Sequence, residues 1–184
     1  TVMLLIDVSG SLDFGTSGQL KRECATEIAA TLAFSAIQNN DKIGVIFFSD
    51  HIEKYIAPKK GRKHILYLIR EMLTFTPNSK RTDVGISLEY LNKVMKRRCT
   101  AFVISDFYTR KDFSQELRIA NKKHDVVAIQ VYDPRAKEMP DVGLMKVVDA
   151  ETGHEMYIDT HDARLRKVHN KYWEEREIRL HEML

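Results

Sequence analysis

Short, uninterrupted apolar runs alternate along this chain with segments in which apolar residues recur every three or four positions. The runs lie at residues 2–6, 43–48, 101–105 and 126–131. Runs this short and this rich in β-branched and aromatic residues favour strands over helices, and their continuous apolar character is typical of strands buried on both faces. The alternation therefore predicts an α/β fold, with a doubly wound, mainly parallel central sheet and helices on both of its faces.

One antiparallel edge strand is expected in this sheet. The segment IEKYIA at residues 52–57 follows the apolar run 43–48 after only three residues, SDH. A connection that short can only reverse the direction of the chain, since a parallel crossover needs a dozen residues or more. The segment is therefore predicted to pair antiparallel with the run before it.

Apolar spacing also predicts which helix faces pack on the sheet. In the first helical segment the apolar residues recur every four positions, as on one side of a helix. These inward-facing positions are Leu20, Cys24, Ile28 and Leu32. In the last helix, predicted to begin near Asp162, the inward-facing positions are expected to be Leu165, Val168 and Tyr172.

The chain is long enough for one domain with a substantial core, because it has 184 residues and is 43% hydrophobic. We expect a single domain over residues 1–184, and a fragment of a longer protein whose N-terminal region is missing, since Thr1 begins directly inside a strand. Cys24 and Cys99 lack metal-type spacing and favour a reducing compartment. The expected location is cytoplasmic, with membrane association through missing regions left open.

Charge and hydropathy argue against two classes of partner. The formal net charge is only +3, with 30% charged residues, so nucleic-acid binding is not expected. The basic runs KKGRKH (59–64) and KVMKRR (93–98) carry no interleaved aromatic residues and are typical of solvated helix ends, although they could equally contact acidic surfaces. No apolar run approaches the roughly 18 residues that cross a bilayer, so no membrane segment is expected.

Carboxylates and hydroxyls follow the predicted strands at one edge of the sheet, where ligand sites of open parallel sheets lie. They are Asp7, Ser9, Ser11, Thr82, Asp83, Ser105 and Asp106. Such hard oxygen ligands, without histidine or thiolate, suit Mg²⁺, with Mn²⁺ or Ca²⁺ as alternatives. For any one of these residues alone, a helix cap or an Asx-turn is the simpler interpretation. The metal-site hypothesis depends on their coincidence at a single edge.

Catalysis is a weaker interpretation of the same residues. The string VSGSL does not have the G-x-S-x-G spacing of a nucleophilic serine. Asp7 follows a first parallel strand, as in haloacid-dehalogenase phosphatases and response regulators, but the second acid of the dehalogenase pattern is replaced by Ser9. We expect no enzyme, and keep a metal-dependent phosphatase or phosphoacceptor that uses Asp7 as the alternative.

The same positions resemble the metal-ion-dependent adhesion site (MIDAS) of von Willebrand factor A domains. The motif is carried by Asp7-x-Ser9-x-Ser11, by Thr82 in TDVG and by Asp106 in ISDF, and the resemblance covers roughly residues 1–135. It implies that Ser9 and Ser11 supply hydroxyl oxygens directly to the ion, and that Thr82 joins directly when ligand is bound and through water otherwise. It also implies that Asp7 and Asp106 mainly hold bound waters and the serine hydroxyls. Asp83 lies beside the motif.

A second resemblance covers nearly the whole chain. The strings DVSGSLDFG, GRKHILYLIREML, ISDF and DPRAKEMPDVGLMKVVDAETGHEMYIDT are similar to the bacterial domain-of-unknown-function family 58. Members of that family are commonly encoded beside AAA+ ATPases of the MoxR type. Together the two resemblances imply a divalent-metal-dependent protein-interaction module that coordinates an Asp or Glu side chain of a partner. That partner would be a MoxR-type ATPase or a substrate handed to it.

Overall fold

The main sheet is mostly parallel, as predicted. The computed structural model describes residues 1–15, 20–109, 111–149 and 152–184. The strands of the main sheet are β1 (Val2–Asp7), β2 (Ile43–Phe48), β3 (Ile52–Lys59), β4 (Thr100–Ser105) and β5 (Asp125–Gln130). Their order is β3-β2-β1-β4-β5, and β3 pairs antiparallel with β2 while the other pairs are parallel. The predicted fold class and its antiparallel edge strand are both confirmed.

Helices cover both faces of this sheet. They are α1 (Lys21–Gln38), α2 (Arg62–Thr74), α3 (Val84–Val94), α4 (Ser114–Lys123), α5 (Pro134–Lys137) and α6 (Ala163–Met183). Side chains of α1 and α2 pack on one face of the sheet, and those of α3, α4 and the end of α6 pack on the other. Within the described ranges, no helix has the length and apolar content needed to cross a membrane.

Strand β1 shows why its sequence is apolar at consecutive positions. Met3 and Leu5 point into the core on one side of the sheet, and Leu4 and Ile6 point into the core on the other. Successive side chains of a strand alternate between faces, so a strand that is covered on both sides needs apolar residues throughout.

The inward face of α1 is shifted by one residue toward the C-terminus from the predicted face. The buried residues are Ala25, Ala29, Ala33 and Ala36, while the larger Cys24, Ile28 and Leu32 flank them in half-buried positions. Leu20 precedes the helix and is 39% exposed. Small side chains at the centre of the contact let the helix lie close to the sheet, so the bulky residues that define the apolar spacing end up beside the contact.

The predicted inward face of α6 is wrong. Val168 and Tyr172 are 67% and 44% exposed, and Leu165 is only half-buried. The helix reaches the core near its end, where Leu180 is buried and Met183 packs beside it. The apolar positions of a charge-rich helix are too few to specify a face, so its contacts are decided by the surface against which it lies.

A separate two-stranded antiparallel sheet precedes α6. It consists of β6 (Leu144–Val148) and β7 (Glu155–Asp159), which pair from Leu144 with Asp159 to Val148 with Glu155. It stands apart from the main sheet and does not extend it.

Candidate metal centre

Parallel pairing of β1 with β4 brings two of the predicted site segments together. The strands are in register from Val2 with Thr100 to Ile6 with Ile104. The carboxyl ends of the two strands therefore lie side by side. There the Ser105 hydroxyl donates a 2.5 Å hydrogen bond to Asp7 Oδ2. Sheet register thus joins positions that are 98 residues apart in the sequence.

The loop after β1 places two hydroxyl oxygens next to each other. Asp7 Oδ1 accepts a 2.8 Å hydrogen bond from the Ser9 backbone N–H, and a 3-10 turn over Gly10–Asp13 follows. In this conformation Ser9 Oγ and Ser11 Oγ are 3.0 Å apart and hydrogen-bonded to each other. Asp7, Ser9 and Ser11 are all buried, with exposures of 1%, 0% and 6%.

Thr82 lies in a loop that is hydrogen-bonded to the serine loop. The Gly10 N–H donates to the Lys80 carbonyl at 3.0 Å, and the Asp83 N–H donates to the Ser49 carbonyl at 2.9 Å. The Thr82 hydroxyl is buried and has no hydrogen-bond partner among the described residues. Leaving a buried hydroxyl unpaired costs free energy, so the Thr82 oxygen is available to a water molecule or to a metal ion.

Asp106 is held from three sides at the end of β4. Its Oδ1 accepts from the Tyr108 backbone N–H at 2.9 Å, and its Oδ2 accepts from Lys21 Nζ at 2.6 Å. Its own backbone carbonyl accepts a 2.9 Å hydrogen bond from Arg176 Nη2 on α6. The position of Asp106 is therefore fixed, and its carboxylate already contacts one cation of the chain.

The two carboxylates of the site affect each other electrostatically. Burial, with a further contribution from the negative charge of Asp106, raises the pKa of Asp7 from 3.8 to about 6. The hydrogen bonds that Asp7 accepts from Ser105 and Ser9 lower this pKa and offset part of the increase. A buried carboxylate under these conditions is stabilised by any cation that enters the site.

Asp83 does not belong to this group of side chains. Its Oδ1 accepts from the Ile86 N–H at 3.4 Å and caps the start of α3. Its Oδ2 accepts from Lys111 Nζ at 2.5 Å. A helix cap explains the presence of Asp83 without a metal.

Glu53 was missed by the sequence analysis, although it organises the loop that carries Thr82. It lies on the antiparallel edge strand β3, and its side chain is fully buried. Its Oε1 accepts hydrogen bonds from Ser49 Oγ at 2.8 Å, from the Asn78 N–H at 3.0 Å and from the Ser79 N–H at 3.1 Å. In the sequence, the one indication of this role is an acidic residue on an edge strand that is otherwise about half apolar.

The donor set suits a hard cation that is bound largely by hydroxyls and water. The candidate oxygens come from Asp7, Ser9, Ser11, Thr82 and Asp106. In the ranges that the structure describes, no three His, Cys, Asp or Glu side chains gather as a metal cluster, so carboxylates alone do not form the site. Neutral hydroxyl oxygens beside two carboxylates match the ligand preference of Mg²⁺ more closely than that of Zn²⁺.

Solved structures of other proteins share this fold. An aerotolerance-related membrane protein from Bacteroides fragilis matches with a TM-score of 0.66 at 16% identity, over 92% of this chain and 86% of that one. Proximal thread matrix protein 1 from the mussel byssus, in a structure with a zinc-occupied MIDAS motif, matches with a TM-score of 0.55 at 16% identity. That match covers 70% of this chain and 37% of the mussel chain. The fold is therefore von Willebrand factor A-like, as the motif resemblance implied.

Sequence relatives show the family. Uncharacterized protein Rv1480 of Mycobacterium tuberculosis is 34% identical over 152 residues, which cover 82% of this chain and 48% of that protein. The chain thus spans about half the length of the curated relatives it matches. Residues 1–178 match the family model described as Protein of unknown function DUF58. The chain belongs to this family of proteins of unknown function.

Proposed function

We propose that this chain is a divalent-metal-dependent protein-interaction module, whose site binds Mg²⁺, or alternatively Mn²⁺ or Ca²⁺, and through it a partner carboxylate. The observation that carries the proposal is the buried, unpartnered hydroxyl of Thr82, in a loop hydrogen-bonded to the loop of Ser9 and Ser11. When bound, Mg²⁺ would supply a coordination position that an Asp or Glu oxygen of a partner can fill.

The side chains of the site would divide this work. Ser9, Ser11 and Thr82 would hold the ion through neutral oxygens, which leave most of its charge available to an incoming carboxylate. Asp7 orients Ser9 through the hydrogen bond from the Ser9 N–H, and Asp106 would add negative charge without filling every position. This arrangement favours capture of an anionic side chain over activation of water, because the loops that carry these residues contain no histidine to act as a general base.

The alternative enzymatic function has less support. A phosphoacceptor aspartate must present a free carboxylate oxygen to its substrate. The Asp7 side chain is almost completely buried, and its two oxygens accept hydrogen bonds from Ser9 and Ser105. We therefore propose a binding role without catalysis. Turnover of a phosphate ester, or an adduct with beryllofluoride, that is lost on Asp7→Asn would favour the enzymatic alternative.

The proposed partner presents an Asp or Glu side chain. The family resemblance favours a MoxR-type AAA+ ATPase, or a substrate handed to it, as the class of partner. A pull-down with the intact parent protein, in Mg²⁺ and in EDTA, would test this class directly.

The double substitution Ser9→Ala/Ser11→Ala is expected to abolish metal binding and metal-dependent partner binding. Stability in EDTA should change by about 1 kcal/mol or less, because the two hydroxyls bond to each other and are removed together. The measurements are calorimetric Mg²⁺ titration and thermal unfolding in EDTA.

The matched control for this pair is Ser87→Ala. Ser87 is a buried serine of α3 whose hydroxyl bonds to the Val84 carbonyl within its own helix. This variant should keep the Mg²⁺ affinity of the wild type. Wild-type affinity in the Ser9→Ala/Ser11→Ala variant would contradict the proposed function.

A further inference from the structure

Lys21 places a cation of the chain itself in the candidate metal site. It is the first residue of α1, and its Nζ lies 2.6 Å from Asp106 Oδ2. A positive charge in the first turn of a helix is disfavoured, because the N-terminal end carries the positive pole of the helix dipole. The ammonium group is therefore held at this position by Asp106, and not by the preference of the helix.

The Lys21–Asp106 pair is shielded from solvent to an unusual degree. Its two side chains are 12% and 6% exposed, the lowest combination among the lysine and arginine ion pairs of the described residues. The nearby pair of Lys111 with Asp83 differs, since its lysine is 70% exposed. Charges that are screened less by water interact more strongly, so the Lys21 ammonium has a large effect on the potential at Asp106.

We propose that Lys21 is an internal competitor that sets the metal affinity of the site. This inference rests on the proposed function, since it concerns the same ion. In the metal-free protein the Lys21 ammonium neutralises Asp106. Entry of a divalent cation beside Asp106 brings two cations together, so tight binding of the ion requires the ammonium to move away from Asp106 Oδ2.

The competition has a consequence for partner binding. An ammonium displaced from Asp106 remains tethered at the start of α1, close to the carboxylate that the partner would present. The cost of displacing it is offset when that carboxylate arrives and supplies a new anion. Lys21 therefore weakens the binding of metal alone and couples metal uptake to the acidic side chain of a partner.

Replacing Lys21 with an uncharged residue tests the competition. Lys21→Met keeps the aliphatic length of the side chain, and Lys21→Gln keeps a hydrogen-bond donor for Asp106 in case the first variant folds poorly. Either variant is expected to bind Mn²⁺ about tenfold more tightly than the wild type, because a buried competing charge has been removed. The affinity is measured by calorimetry and by the electron paramagnetic resonance signal of free Mn²⁺.

Lys111→Met is the matched control, since it removes the same charge from a lysine that is exposed and paired with Asp83 beside the site. Its Mn²⁺ affinity should stay within about threefold of the wild type, because exposed charges are screened by salt. An Mn²⁺ affinity equal to that of the wild type in both Lys21 variants would overturn the inference. If these variants also melted at a lower temperature, Lys21 would have only a structural role. If neither the wild type nor the Lys21 variants bound Mn²⁺, both this inference and the proposed function would be contradicted.

Discussion

Asp7→Asn is expected to stabilise the metal-free protein by about 2–3 kcal/mol and at the same time to remove most of its stabilisation by Mg²⁺. Burial, together with the charge of Asp106, raises the pKa of Asp7 to about 6. At neutral pH the folded protein must therefore keep a buried carboxylate ionised, which the unfolded chain does at no cost. An amide of the same shape avoids that charge.

The hydrogen bonds around Asp7 allow the substitution. The amide oxygen of Asn can accept from the Ser9 N–H, and the amide nitrogen can donate to Ser105 Oγ. The Ser105 O–H loses Asp7 Oδ2 as its acceptor, and this loss offsets a small part of the gain from removing the charge. The same change removes the negative charge that stabilises a cation in the site. The two effects have opposite signs, which a general loss of structure does not produce.

The pH dependence of this difference follows from the direction of the pKa shift. Because the folded pKa of Asp7 lies above its ordinary value of 3.8, the wild type loses stability as pH rises from about 4 to about 6. The stability advantage of Asp7→Asn should therefore be full at pH 7 and vanish near pH 4. Chemical denaturation in EDTA at several pH values measures this difference.

Asp125→Asn is the control for this substitution. Asp125 lies at the start of β5, on the opposite edge of the sheet, where it forms an exposed pair with Arg98. Its replacement should not stabilise the protein and should leave the response to Mg²⁺ intact. Equal stability of the wild type and Asp7→Asn at pH 7 would contradict the electrostatic account of the site.

Glu53→Ala is expected to destabilise the protein by roughly 2–4 kcal/mol and to weaken metal binding about tenfold or more. The substitution leaves the Ser49 hydroxyl and the backbone N–H groups of Asn78 and Ser79 without their common acceptor. These groups fix the loop that leads to Thr82. The loss of metal affinity would therefore come from displacement of Thr82, since Glu53 is not one of the proposed metal ligands.

The same contacts give the effect of Glu53 a pH dependence. Burial alone raises the pKa of Glu53, but the hydrogen bonds from Ser49, Ser79 and Asn78 outweigh it and hold the pKa below its ordinary value of 4.5. The stabilisation is therefore complete above pH 4.5 and is lost as pH falls through the lower folded pKa. The gap between wild type and variant should narrow in acid.

Glu71→Ala provides the comparison for Glu53→Ala. Glu71 forms a 2.6 Å ion pair with Lys54 that is open to solvent, and such pairs contribute about 1 kcal/mol or less. Urea unfolding and Mn²⁺ titration of both variants separate the two roles. Metal affinity in Glu53→Ala equal to that in Glu71→Ala would show that Glu53 does not position the loop of Thr82.

The sequence predicted the sheet because its signals are local. Buried strands are read from consecutive apolar residues, and the short SDH connection is enough to predict the antiparallel edge strand. The approximate place of Asp7, Ser9 and Asp106 follows from the same signals, since parallel strands end at one edge. These predictions need only the order of elements along the chain.

Contacts between distant side chains could not be read in this way. The ion pair of Lys21 with Asp106 joins positions 85 residues apart, and nothing in the first turn of α1 indicates it. Glu53 lies on a strand whose apolar pattern predicts which residues are buried, but does not predict the hydrogen bonds of a polar side chain. The face of α6 was predicted wrongly for a related reason, because its contacts depend on the surface that packs against it.

Crystals of the protein grown with Mn²⁺ would test the central claim most directly, through the anomalous scattering of the metal. The account predicts one strong peak bounded by Ser9 Oγ, Ser11 Oγ and Thr82 Oγ1, with the two serine oxygens bonded to the metal directly and Thr82 bonded to it directly or through one water. The absence of an anomalous peak near these three oxygens at saturating Mn²⁺, or a peak only elsewhere on the protein, would contradict this account.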